Sequence, residues 1–129
     1  RCLYPLQKFD SDTERRFAII LERDATKWFK PAKGQFQIYY KLGTEQPEYI
    51  PDFVAETDAT IFMVETKARV DINTQEVQAK AAAAARWCKH ASGHAATVGT
   101  KPWKYLLVPH DENNESKRLS DFLRFEVKA

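Results

Sequence analysis

Two carboxylates and an ammonium stand in stretches that otherwise read as apolar strands. Asp52 follows Pro51 and precedes Phe53-Val54-Ala55, while Glu65 and Lys67 close the run that begins Thr60-Ile61-Phe62-Met63-Val64. Charges seldom remain in such runs without partners. The two runs flank a polar turn, Glu56-Thr57-Asp58, so a β-hairpin is the simplest reading. Side chains alternate along a strand, which puts Glu65 and Lys67 on one face with Ile61 and Met63. Paired strands lie about 4.8 Å apart, near enough for Asp52 and Glu65 to share one ion. Hard divalent cations such as Mg2+ take oxygen ligands from one or two carboxylates, a carbonyl and several waters. Such an ion generates a hydroxide nucleophile and neutralises charge on a phosphodiester. Lys67 would then stand near the attacked phosphorus, where it orients or deprotonates the water or stabilises developing charge.

The elements that must position these groups are legible in outline. A helix is expected from "FDSDTERRFAIILERDATKWF", capped by Asp10, Ser11 or Asp12, with Glu14 three residues after Ser11 as in a capping box. Phe17, Ile20 and Leu21 give it an apolar face, and Pro31 and Gly34 end it. "GQFQIYYKLG" alternates as a strand with Phe36, Ile38 and Tyr40 on one side. Pro51, lacking an amide hydrogen, belongs at a strand start or an unpaired edge position. The longest helix is expected from "DINTQEVQAKAAAAARWCKHA", capped by Asn73 or Thr74 and stopped by Gly93. Its stripe of Val77, Ala81, Ala84 and Cys88 suits close packing on a sheet. "WKYLLVP" reads as a short strand, and "LSDFLRFEV" divides between a helical and a strand pattern. The order predicts an α/β (α+β) domain over residues 1–129, a central mixed β-sheet flanked by α-helices.

The bulk composition bounds the function classes. The 129 residues suffice for a compact domain with its own core, and 43% hydrophobic with 29% charged residues fits a globular chain. No apolar run approaches the roughly 20 residues of a membrane-spanning helix. A net charge of +2 does not by itself argue for nucleic-acid binding. Cys2 and Cys88 lack zinc-ligand spacing, and a reducing cytoplasm is the expected compartment. The chain opens at Arg1 without methionine and reads as a piece of a larger polypeptide.

Pro51-Asp52, a spacer, and Glu65-Thr66-Lys67 resemble the motif of the PD-(D/E)XK nuclease superfamily. Within it, "LYPLQKFDSDTERRFA", "YIPDFVA", "MVETKA", "WCKHA" and "WKYLLVP" look like the C-terminal endonuclease domain of the Res subunits of type III restriction enzymes, over nearly the whole chain. The resemblance implies a restriction-endonuclease-like fold and a magnesium-dependent endonuclease acting on double-stranded DNA. It implies that Asp52 and Glu65 bind Mg2+, with Mn2+ able to substitute, and that the Thr66 backbone carbonyl is a further ligand. It implies that Lys67 assists catalysis. Glu14 matches an acid on the first helix that often joins such sites, and Gln78 loosely matches a glutamine used in some branches. It also implies an ATP-driven, helicase-like motor in the same polypeptide and a separate modification subunit that reads sequence. Ala68 departs from the pattern, which commonly has glycine after the lysine.

Plainer readings compete for several of these residues. Glu14 serves equally well as a capping-box acid. Gln78 fits an exposed helix position, and His90 and His94, four apart, have Gly93 between them and no third ligand. Trp28, Trp87 and Trp103 suit packing better than base stacking. Lys27, Lys30 and Lys33, like Lys80, Arg86 and Lys89, read as solvated faces unless they surround Asp52. Two other functions fit the same residues: a repair or phage-defence nuclease that acts alone, and a DNA-binding or scaffolding module that does not cleave.

Overall fold

The computed structural model describes residues 1–3, 9 and 11–129. The cap candidate Asp10 and most of "LYPLQKFD" lie outside the described residues. Helix α1 spans Asp12–Asp24, and its N-cap is Ser11, whose side chain accepts from the Glu14 amide. The helix is shorter than its sequence suggested. It stops at Asp24, Ala25 turns extended, and Lys27–Phe29 forms strand β1 instead. Trp28 is the reason: as a strand residue it is buried and stacks edge-on against Phe53.

Short strands β2 (Ile38–Tyr39) and β3 (Glu48–Tyr49) form a separate two-stranded ribbon. Strands β4 (Phe53–Glu56) and β5 (Ile61–Lys67) then make the expected antiparallel hairpin. The stretch "YIPDFVA" is therefore not one strand. It breaks at Ile50–Asp52, and Pro51 occupies the break, where no ladder hydrogen bond is asked of its nitrogen.

Helix α2 runs Gln75–Val98 from an N-cap at Thr74. Gly93 does not stop it. An interior glycine costs only about 1 kcal/mol, which the alanine-rich turns on both sides offset. The stop is Gly99, left-handed at φ 72°, where a side chain would be strained. Gly99→Ala is expected to lower stability by about 1 kcal/mol. Urea unfolding measures this, and an unchanged midpoint would show that the left-handed turn is not holding the helix end.

The helix returns the chain to β6 (Trp103–Pro109), parallel to β5, and such a pairing requires a crossover of this length. The ambiguous tail contains both of its patterns, a 3₁₀ segment at Leu119–Phe125 and then β7 (Glu126–Val127). The sheet order is β1-β4-β5-β6-β7, in which β5 and β6 pair in parallel and the other neighbouring strands antiparallel, so the chain is mixed α/β on a mixed five-stranded sheet.

Each sheet face carries its own core. On one, Phe17, Ile20 and Leu21 of α1 meet Phe53, Phe62, Val64, Leu106 and Phe122. On the other, Val77, Ala81, Ala84 and Cys88 of α2 meet Met63, Tyr105 and Leu107, with Ile38, Tyr40 and Tyr49 closing the end. The small residues of α2 let the helix lie close to the sheet. Among the described residues, no helix is long and apolar enough to cross a membrane.

Candidate functional site

The hairpin ladder ends at the Phe53–Val64 pair, and Asp52 lies one residue beyond it, near enough to Glu65 for its charge to raise the Glu65 carboxyl. Glu65 shares the α2 face with Met63, whereas Asp52 sits in the break before β4 and is held by Thr66, the next residue along β5. Asp52 is half-buried, and its Oδ2 accepts from the Thr66 amide at 2.8 Å and from the Thr66 hydroxyl at 3.0 Å. Among the described residues no hydrogen bond is made to its Oδ1. Thr66 thus holds the Asp52 carboxylate with two donors, a role its place in the motif did not announce.

Glu65 is buried, 7% exposed. Its Oε1 accepts from the Tyr49 hydroxyl at 2.7 Å, and its Oε2 lies 3.6 Å from the Lys67 ammonium. The Tyr105 hydroxyl is 2.8 Å from that of Tyr49. With the Tyr49 proton committed to Glu65, Tyr105 is the donor in this second bond. Burial, then the neighbouring Asp52 charge, push the Glu65 carboxyl up to about 8 against the lowering effects of Tyr49, Lys67 and Lys80. Burial also raises Asp52, as does Glu14, while the Thr66 bonds and Lys30 oppose it.

Glu14 is buried on α1, and its carboxylate pairs with Lys30 instead of completing a capping box. The Lys30 ammonium also reaches the Asp52 carbonyl at 3.3 Å. Lys80, on α2, lies 5.5 Å from the Tyr40 ring and 6.0 Å from that of Tyr49, and it pairs with Glu76 at 3.1 Å.

The structure therefore brings Asp52, Glu65 and Lys67 together, with Glu14 within electrostatic reach of Asp52. It does not bring in Gln78, which is exposed and donates to the Ile72 carbonyl at 2.8 Å. His90 and His94 share an unbroken helix, both exposed. Among the described residues no three His, Cys, Asp or Glu side chains converge as a metal-binding group. Sequence reasoning left Lys30 and Lys80 as solvated faces unless they surround Asp52, and gave no role to Tyr49 or Tyr105. Lys30 sits in a basic stretch with Lys27 and Lys33. An alternation of tyrosines with apolar residues gives no sign that their hydroxyls find a buried carboxylate.

The donor set suits a hard divalent cation. Two neighbouring carboxylates, one of them buried and with its carboxyl pushed up to about 8, gain from a cation that offsets their charge. No protein-family model matches the chain, and no curated protein matches its sequence.

Proposed function

We propose that this chain is a magnesium-dependent endonuclease domain of restriction-endonuclease-like fold, hydrolysing phosphodiester bonds in double-stranded DNA as part of a type III restriction enzyme. The observation that carries the reading is the nearness of Asp52 to Glu65 at the end of the β4–β5 hairpin, close enough for one charge to raise the other, with the Lys67 ammonium 3.6 Å from Glu65. Support also comes from the two helices, one against each face of the mixed sheet.

Asp52 and Glu65, with the Thr66 carbonyl, are the residues that would hold Mg2+ or Mn2+. The ion when bound supplies an acidified water and neutralises phosphate charge. Thr66 fixes Asp52 through its amide and hydroxyl, and Tyr49 fixes Glu65, so both carboxylates are oriented before the ion arrives. Lys67, a third exposed, is free to turn from Glu65 toward substrate. There it orients the attacking water and meets the negative charge that develops on the phosphoryl oxygens. The water gives up one proton to solvent as its oxygen bonds to phosphorus, the bond to the leaving sugar oxygen breaks, and that oxygen takes up a proton from solvent.

DNA sequence would be read elsewhere in the assembly, by a modification subunit, and an ATP-driven helicase-like motor would belong to the same polypeptide. With a net charge of +2, this chain alone has little to hold phosphate, so its DNA binding is expected to be weak and to fall steeply with salt. The test is plasmid nicking with magnesium, at matched concentrations of the 129-residue chain and of the intact restriction complex. The chain alone is expected to nick slowly or not at all, and the complex with ATP to cleave. Equal rates without ATP would make the domain an autonomous nuclease of repair or phage defence. Absence of magnesium-dependent cleavage in both would leave a binding or scaffolding module.

A further inference from the structure

We infer that Lys30 is a resident cation of the site: its ammonium neutralises Glu14, so the site loads one divalent ion and Glu14 is not among its ligands. The inference rests on the metal-site reading above and narrows it to a stoichiometry and a ligand set.

The ammonium of Lys30 is closely surrounded, with the centre of the Phe9 ring 5.9 Å away. It pairs with Glu14 Oε1, it reaches the Asp52 carbonyl oxygen at 3.3 Å, and it stands 4.6 Å from the centre of the Phe53 ring. A carboxylate, a carbonyl and an aromatic face are what a cation seeks, and here a side chain of the protein already has them. Both partners are largely shielded, with 17% of the Lys30 side chain exposed and 8% of that of Glu14. A second metal ion taking Glu14 would have to evict the ammonium and leave it buried without a counter-charge, which is unfavourable. The convergence of side chains agrees: Glu14 does not join Asp52 and Glu65 in a three-acid group. With Glu14 neutralised, Asp52 and Glu65 remain, and one divalent ion matches their combined charge.

Mn2+ alone, titrated calorimetrically into the 129-residue chain, tests this without reference to cleavage. One ion per chain is expected, and the binding is expected to vanish in Asp52→Asn. Lys30→Met alone would strand the Glu14 carboxylate, so the informative variant is Glu14→Gln/Lys30→Met, which removes both charges from the buried pair together. Mn2+ is expected to bind that variant at one ion per chain and within about twofold of the native affinity, because no ligand has been lost. Two ions on the native chain, or a tenfold or larger weakening in the double variant, would make Glu14 a ligand and overturn the inference. The native stoichiometry decides even if the double variant does not fold. A native chain that binds no Mn2+ at millimolar concentration overturns the metal-site reading itself, and this inference with it.

Discussion

Replacing Lys67 with alanine is expected to lower DNA cleavage by the intact complex by about 10²–10³-fold, the usual effect of removing one group that stabilises a transition state. The fold should survive. Lys67 is at the end of β5, a third exposed, and among the described residues its ion pair is a 3.6 Å contact with Glu65. At 3.6 Å the contact is loose, and burial holds the Glu65 carboxyl toward its neutral form, so losing the ammonium is expected to cost little stability. Binding of Mn2+ should also survive, because the ammonium is not a ligand and its removal lessens positive charge beside the ion. Asp52→Ala and Glu65→Ala should be equally inactive for a different reason, the loss of metal affinity, and calorimetry separates the two cases. A Lys67→Ala complex that cleaves at the native rate would remove Lys67 from the chemistry. A variant that loses metal binding along with cleavage would make its role structural.

The second large effect is on stability and its dependence on pH. An unfolded glutamate titrates near 4.5, whereas Glu65 in the folded chain is pushed up to about 8. Between those values the native state holds a proton that the unfolded state has released. Stability is therefore full below about pH 4.5 and declines as pH rises toward 8, at up to about 1.4 kcal/mol per pH unit. Asp52 is raised as well and acts in the same direction. Acid acts oppositely through other carboxylates: Asp24, held at about 2 chiefly by Arg23, contributes stability that is lost as pH falls toward that value. The metal-free chain is thus expected to melt at its highest temperature near pH 5 and lower by pH 8. Glu65→Gln, which keeps the shape and cannot ionise, should flatten the alkaline side and melt above the native chain at pH 8. Adding Mg2+ at pH 8 should raise the native midpoint and leave that of Glu65→Gln nearly unchanged. Thermal unfolding at several pH values reads all three, and a native midpoint constant from pH 5 to 8 would show that Glu65 is not held as a buried acid.

Residue pattern alone determined a good deal. Period-two alternation and a polar turn placed the β4–β5 hairpin, and the strand period then put Glu65 on the Met63 face, as found. Short clusters of capping residues marked both helix starts, because a side-chain oxygen that satisfies free amides is a local device, but only the fold chose Ser11 among Asp10, Ser11 and Asp12, and Thr74 over Asn73. Where local signals competed, tertiary packing decided. Lys27–Phe29 continues an apolar helical pattern, yet the burial of Trp28 beside Phe53 makes it an edge strand. Gly93 and Gly99 look alike in sequence, and only the second adopts the left-handed turn that ends α2. At the site, the acids were legible because a charge in an apolar run is conspicuous in one dimension. Their partners were not. Lys30 reaches Glu14 across 16 residues of sequence, Tyr105 reaches Tyr49 across 56, and no period or spacing encodes such a meeting. A buried carboxylate's state depends on which hydroxyls, ammoniums and other carboxylates the folded chain brings within a few ångströms, so the electrostatics of Glu65 and the neutralisation of Glu14 belong to the tertiary structure alone.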